Sequence, residues 1–254
     1  MKFCPIMPIA SFPHFEKTSD HWMALAQWMH LKEYRAFFER KLENKETVIL
    51  DNGAYEGVQI TDKQLSGLVA TLRPSVVILP DHPNNFVQTV VKGFNYLRDH
   101  PLPHGVEGMM VLHAEPGRLE QFELLYEICP VKWVGFSRLT KSYSGKFFND
   151  TRAQMLMHLK QRNLYRDDRV HHALGMKDGS LAELQDLVKV GFYSCDSSAP
   201  IWRGVNGYTM EPNSGWPNYE MDPTAKLLNT ITAENNLKTV MEICNGENRS
   251  GMSA

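Results

Sequence analysis

The sequence predicts a single α/β domain, a (β/α)8 TIM barrel spanning residues 1–254. Three observations lead there. Short runs rich in β-branched, aromatic and aliphatic residues alternate with amphipathic stretches of helical period. Polar residues gather directly after those runs. The length of 254 residues suits one closed barrel better than two small domains.

Taken in order, Phe3–Ile9 is apolar, contains Pro5 and Pro8 and lacks a cleavage pattern, so it reads as a first strand and not a signal peptide. His21–Leu42 is amphipathic and expected to be helical. Thr47–Leu50 is a strand and Asp62–Leu72 a helix; Val76–Pro80 is the next strand. Gly108–His113, Lys132–Phe136 and Arg169–Leu174 are strands followed by the helical segments Arg118–Ile128, Thr151–Gln161 and Leu181–Val190. Phe192–Cys195 is the seventh strand. The pattern marks no clear eighth; Gly207–Met210 is the candidate, and Pro223–Glu242 reads as helical. Strands alternating with helices pair in parallel through right-handed crossovers.

Composition excludes several classes. With 43% hydrophobic and 22% charged residues the chain is globular, not disordered. No apolar run approaches the roughly 20 residues of a membrane helix. Cys4, Cys129, Cys195 and Cys244 are far apart and form no C-x-x-C pair, which argues against a disulfide framework or a structural zinc site. A reducing cytoplasm is the simplest setting. The net charge of −2 does not advertise nucleic-acid binding, so any basic surface must be local.

Asp51 follows TVIL, Asp81 follows VVILP, His113 ends MMVL, Gly135, Phe136 and Ser137 end KWV, His172 and Leu174 end RVHHAL, and Asp196 follows FYSC. In a parallel barrel these ends share the rim that carries chemistry. Asp51 opens a glycine-containing loop in which Tyr55 offers a flat face for stacking a base; it could equally cap the next helix. Asp196 leads into a loop with Ser197, Ser198, Trp202 and Arg203, whose hydroxyls and amides could also simply satisfy it. Two carboxylates on one rim are the minimum for exchanging an N-glycosidic bond, one at the anomeric carbon and one moving a proton on the base. Asp81 could accept from the two N–H groups of a guanine-like edge, or be a turn aspartate between Pro80 and Pro83. His113 and the amides near Gly135 could meet the carbonyl edge of the base, although a lone strand-end histidine is more often structural. Arg138, Lys141 and Lys146, beside Ser142, Tyr143 and Ser144 and followed by Arg152, Arg162, Arg166 and Arg169, suit a sugar–phosphate backbone or an ordinary solvated face.

The order of these motifs resembles the tRNA-guanine transglycosylase superfamily. Asp51-Asn-Gly-Ala-Tyr55 is similar to its D-S-G-G segment ending in Phe or Tyr. Asp81 falls where its base-reading aspartate follows a strand. Met109–His113 resembles its I-V-Q-G strand with His113 in the glutamine place, Val134–Ser137 its G-G-L strand, and His172–Met176 its Y-L-M-G-V. Gly179-Ser-Leu, continuing through Leu187 to Pro200, resembles G-x-P…L-V…G-x-D-x-F-D-C-x-x-P. The match runs from about Val48 to Arg203.

The resemblance implies that Asp196 is the covalent nucleophile and Asp51 the group handling the base proton. Asp81, His113 and the Gly135–Phe136 backbone would read the base edge, with Tyr55 and Leu174 sandwiching it. Trp202 or Tyr143 would fill the gap left by an extruded base, and Trp202 and Arg203 would join Arg138, Lys141 and Lys146 on the nucleic acid. Members acting on tRNA carry a C-x-C-x-x-C…H zinc site after the nucleophile strand. Here only Cys244, and no histidine, follows Asp196, so that subdomain and its metal are not expected. A short zinc-free member resembles the viral DNA-guanine transglycosylases, which insert a 7-deazaguanine derivative. The expected partners are therefore DNA, ahead of tRNA, and a free 7-deazaguanine base. No cofactor and no membrane are expected, and a viral chain would work in the host cytoplasm. The alternatives are a tRNA-guanine transglycosylase or nucleoside hydrolase of the same family, and a non-catalytic barrel holding a base or nucleotide. A metal-dependent hydrolase barrel ranks last, because Pro8–His14 contains a single imidazole where a His-x-His pair is needed.

Overall fold

A computed structural model describes residues 1–54, 57–58, 60–138, 152–176, 180–210, 222–226 and 229–246. Its strands are β1 (Lys2–Pro5), β2 (His21–Leu25), β3 (Thr47–Asp51), β4 (Val76–Ile78), β5 (Glu107–Leu112), β6 (Trp133–Ser137), β7 (Val170–Leu174) and β8 (Ser194–Ser197). The helices are α1 (Phe12–Phe15), α2 (Lys32–Glu43), α3 (Asp62–Leu72), α4 (Phe86–Asp99), α5 (Leu119–Ile128), α6 (Arg152–Gln161), α7 (Leu181–Val190), α8 (Ala199–Val205) and α9 (Thr230–Asn245). The eight strands form one sheet in the order β1-β8-β7-β6-β5-β4-β3-β2. The pairs β1–β8, β3–β4, β4–β5 and β5–β6 are parallel. A sequential order with β1 beside β8 is that of a (β/α)8 barrel, whereas an open doubly wound sheet reverses its order partway.

The chain divides into two compact units, Met23–His172 and the pair of segments Met1–Trp22 and Ala173–Ala254. In the first, α2 buries Tyr34, Phe37 and Phe38, and the Tyr34 hydroxyl accepts from the Leu25 amide at 3.0 Å. Helix α3 begins with a reciprocal capping box between Thr61 and Gln64, and α4 with an Asn85 cap. Phe136 of β6 packs edge-on against Phe122 of α5, with ring centroids 5.5 Å apart. Met110 of β5 faces α4 so closely that a Cβ on Gly93 would come within 2.8 Å of its methyl. Because side chains alternate along a strand, the neighbours of these residues point to the sheet face away from α4 and α5. Val111 and Gly135, partners in register, are on that face.

In the second unit, β1 and β8 pair with Cys4 opposite Asp196. Helix α7 starts at a Ser180 cap and stops at Gly191, whose φ of 94° a side chain would strain. Helices α8 and α9 touch through backbone: a Cβ on Gly204 would lie 2.1 Å from the Ala233 Cα. Asn236 ties them further, donating to the carbonyls of Pro200 at 3.1 Å and Tyr208 at 2.8 Å.

Most expected elements are present within one or two residues, the ordinary uncertainty of element ends. Four expectations are corrected. His21–Leu42 is not one helix: β2 is followed by a 3-10 turn (Ala26–Trp28), and only then does α2 begin. All five β2 residues are buried, and a strand buried on both faces shows no alternation to distinguish it from a buried helix. Gly207–Met210 is consequently not the eighth strand; it is the turn leaving α8, with Gly207 at φ 82° and the Tyr208 amide bonded back to the Arg203 carbonyl at 2.9 Å. The first strand stops at Pro5, because a 3-10 turn (Ile9–Ser11) follows and runs into α1. The last helix starts at Thr230, where Asn229 caps it by accepting from the Thr232 amide at 3.1 Å. Helices α4 and α8 add to the segments the pattern marks. All four cysteines are buried free thiols. Among the described residues no helix is long and apolar enough to cross a membrane.

Candidate active site

In the Met23–His172 unit, three polar side chains from the ends of adjacent strands meet. Asp81, two residues beyond the buried Leu79, is itself buried, as are Asn52 just after β3 and His113 just after β5. The Asp81 carboxylate accepts from Asn52 Nδ2 at 2.8 Å on Oδ1 and is 2.7 Å from His113 Nε2 on Oδ2. A buried carboxylate needs such partners, because burying an uncompensated charge costs several kcal/mol. The backbone is fixed as well. Lys92 of α4 donates to the Asp81 carbonyl at 3.3 Å, and the Thr89 hydroxyl bonds both the amide and the carbonyl of His82 at 3.1 Å. Two of the roughly four lone-pair positions of the carboxylate are used, which leaves capacity for donors on a ligand.

Asp51 closes β3, and its Oδ2 accepts from the Gly53 amide at 3.0 Å. Gly53 has a φ of 74°, and a Cβ there would meet the Gln27 side-chain oxygen at 3.2 Å. The glycine is thus required for its backbone angle, and a side chain there would also push the Gln27 carboxamide aside by a few tenths of an ångström. In β6, Gly135 and Phe136 are buried; the Phe136 ring faces α5, and its carbonyl accepts from the buried Arg152 at 3.5 Å. Arg138 is exposed just after β6.

In the other unit, Asp196 lies inside β8, not after it, and is buried. Its Oδ1 accepts from the Gly175 amide at 3.0 Å, just past Leu174 at the end of β7. Gly175 adopts φ 65°, the left-handed conformation that turns this amide. Burial, and next the Asp196 carboxylate, push the Cys4 thiol well above its ordinary pKa. Cys4 is therefore held as a neutral thiol.

Several expected contributors are placed differently. Trp202 and Arg203 belong to α8 and are 4% exposed, and Arg203 Nη2 donates to the Thr209 carbonyl at 3.2 Å. They are buried in a helix, which corrects the expectation that they belong to a loop after Asp196. Tyr55, Lys141, Lys146 and Tyr143 lie outside the described residues. Asn52 and Gly175 make the key contacts to Asp81 and Asp196 but were not expected to. Their only sequence signals were an Asn-Gly turn and a glycine after a strand. Among the described residues no group of three or more His, Cys, Asp or Glu side chains could hold a metal ion.

No protein-family model matches the chain, and no curated protein does. Solved structures do resemble it. A tryptophan synthase complex from Pyrococcus furiosus matches with a TM-score of 0.52 and 11% identity, over 96% of this chain and 98% of that one. A tryptophan synthase from M. tuberculosis matches with a TM-score of 0.51 and 9% identity, over 96% and 91%. At such identity the likeness shows the fold alone: this is a TIM-barrel protein, and its chemistry has to be read from its own side chains.

Proposed function

We propose that the chain is a base-exchange transglycosylase that replaces guanine in DNA with a 7-deazaguanine derivative. The observation that carries this reading is the Asn52–Asp81–His113 network at the C-terminal ends of neighbouring strands. Packing alone does not call for a buried carboxylate, imidazole and carboxamide there, whereas recognition of a flat heterocycle with N–H and carbonyl edges does. The family resemblance supplies the reaction. An Asp196 oxygen bonds the sugar's anomeric carbon as the bond to guanine breaks, and the departing base takes up a proton delivered through Asp51. The incoming deazaguanine loses its ring proton to Asp51, bonds the anomeric carbon and releases the Asp196 carboxylate. Two inversions retain the anomeric configuration.

The test is incubation with radiolabelled guanine and, in parallel, duplex DNA, tRNA or free nucleosides. Label entering DNA, with incorporation reduced at least about a thousandfold in Asp196→Ala, is the expected result. Label entering only tRNA would move the assignment to the tRNA branch. Undiminished incorporation by Asp196→Ala, or a denaturation-resistant DNA adduct persisting in Asp196→Asn, would overturn the assignment of Asp196 as nucleophile.

A further inference from the structure

We propose that Asn52 is a positioning residue that sets base selectivity by fixing the plane of the Asp81 carboxylate. This deepens the function proposed above and rests on it. The Asn52 side chain is buried and uses every group it has. Its Nδ2 donates to the Leu79 carbonyl at 2.7 Å and to Asp81 Oδ1 at 2.8 Å, while its own Oδ1 accepts from the Ala54 amide at 2.8 Å. The residue therefore joins the turn after β3 to the exit of β4.

The consequence is for Asp81. Held only by His113 on Oδ2, a carboxylate can pivot about that bond. A second donor on Oδ1 removes the pivot and fixes the directions of the remaining lone pairs. Those directions matter for discrimination. A guanine-type edge offers a ring N–H and an exocyclic N–H, while a hypoxanthine-type edge lacks the exocyclic one. A rigid carboxylate matched to two donors rejects the base that supplies one, because a buried acceptor position is then left unmet. A carboxylate free to rotate adapts to either base and discriminates less.

The test uses the full chain and two probes, 7-deazaguanine and 7-deazahypoxanthine, with binding measured by calorimetry alongside thermal unfolding. The wild-type protein should prefer 7-deazaguanine by about tenfold or more. Asn52→Ala should lose most of that preference, chiefly through stronger 7-deazahypoxanthine binding. Asn52→Leu keeps close to the same volume and removes both donors. It should behave likewise, and it serves if the alanine variant does not fold. Asn52→Ser, which restores one short donor, should recover part of the preference. A lowered unfolding temperature with the preference intact would make Asn52 a strut and overturn the inference while leaving the proposed function standing. Binding of neither base by the wild-type protein would overturn both.

Discussion

His171 carries a residue-scale consequence that is independent of function. Its ring stacks on Tyr165 at 5.0 Å and on Tyr126 at 5.9 Å, and its Nε2 is 3.0 Å from the Tyr126 hydroxyl. Arg169 lies over the Tyr126 ring at 4.7 Å and Lys160 over the Tyr165 ring at 4.8 Å. Burial, then the positive charges of Arg169 and Lys160, lower its pKa from 6.5 to about 4. The folded state thus binds this proton less readily than the unfolded chain does. Stability is at full value above the unfolded pKa and is lost as pH falls from about 6.5 toward about 4. The expected loss between pH 7.5 and pH 5 is about 2 kcal/mol from this group. Urea unfolding midpoints at the two pH values would show it, and His171→Phe should flatten the difference. An unchanged difference in the variant would assign the acid sensitivity elsewhere. At Gly53 a second effect is expected: Gly53→Ala must carry a side chain at φ 74° against Gln27, and should destabilise by about 1–2 kcal/mol in the same assay. The same loop shows what a sequence hides. Asn52 is legible as a turn residue because its Oδ1 bonds an amide two positions on. Its donors reach residues 27 and 29 positions away, and no local pattern records such partners.

The elements were legible in proportion to how one-sided their burial is. Helices α3 and α7 have polar and apolar faces and caps at both ends, and the sequence marks both at their observed bounds. β2 has no exposed face, so its HWMAL run merged with the amphipathic stretch behind it. A barrel short of one strand invites the next plausible run, Gly207–Met210, to fill the place. The position of Asp196 shows a milder form: the register Cys4↔Asp196 and Pro5↔Ser197 extends β8 beyond the run that alternation marks, and puts the carboxylate within the strand. The α8–α9 contact yields the sharpest prediction at this scale. Gly204 stands 2.1 Å, measured from its would-be Cβ, from backbone of α9 and not from a flexible side chain that could yield. Gly204→Ala should therefore separate the helices and cost about 3 kcal/mol or more, read as a lowered unfolding midpoint. Gly207→Ala, at φ 82° but with open space around it, should lose only the backbone term of about 1 kcal/mol. Equal losses for the two variants would deny that α8 and α9 meet through their backbones.

For the whole molecule, the alternation of strands and helices made the barrel readable although no single motif encodes it, and the same bulk reading constrains the proposed substrate. A net charge of −2 gives no general attraction to a polyanion. DNA binding must then come from a few local cations, each displacing condensed counterions as it meets a phosphate. With Arg203 buried, the cations that stand in sequence beside Ser142, Tyr143 and Ser144 are Arg138, Lys141 and Lys146, of which Arg138 is exposed. Three phosphate contacts correspond to a slope of about −3 in a plot of log binding constant against log salt. Arg138→Gln should reduce that slope by about one and weaken binding to all sequences alike, because a backbone contact carries no sequence information. A markedly steeper slope would mean a basic surface not counted among these three. A flat one would mean that the duplex is held without phosphate contacts, or is not the substrate. In that last case the base-binding calorimetry with Asn52 variants would still stand as a test of the Asn52–Asp81–His113 network, while the substrate would have to be sought among tRNA and free nucleosides.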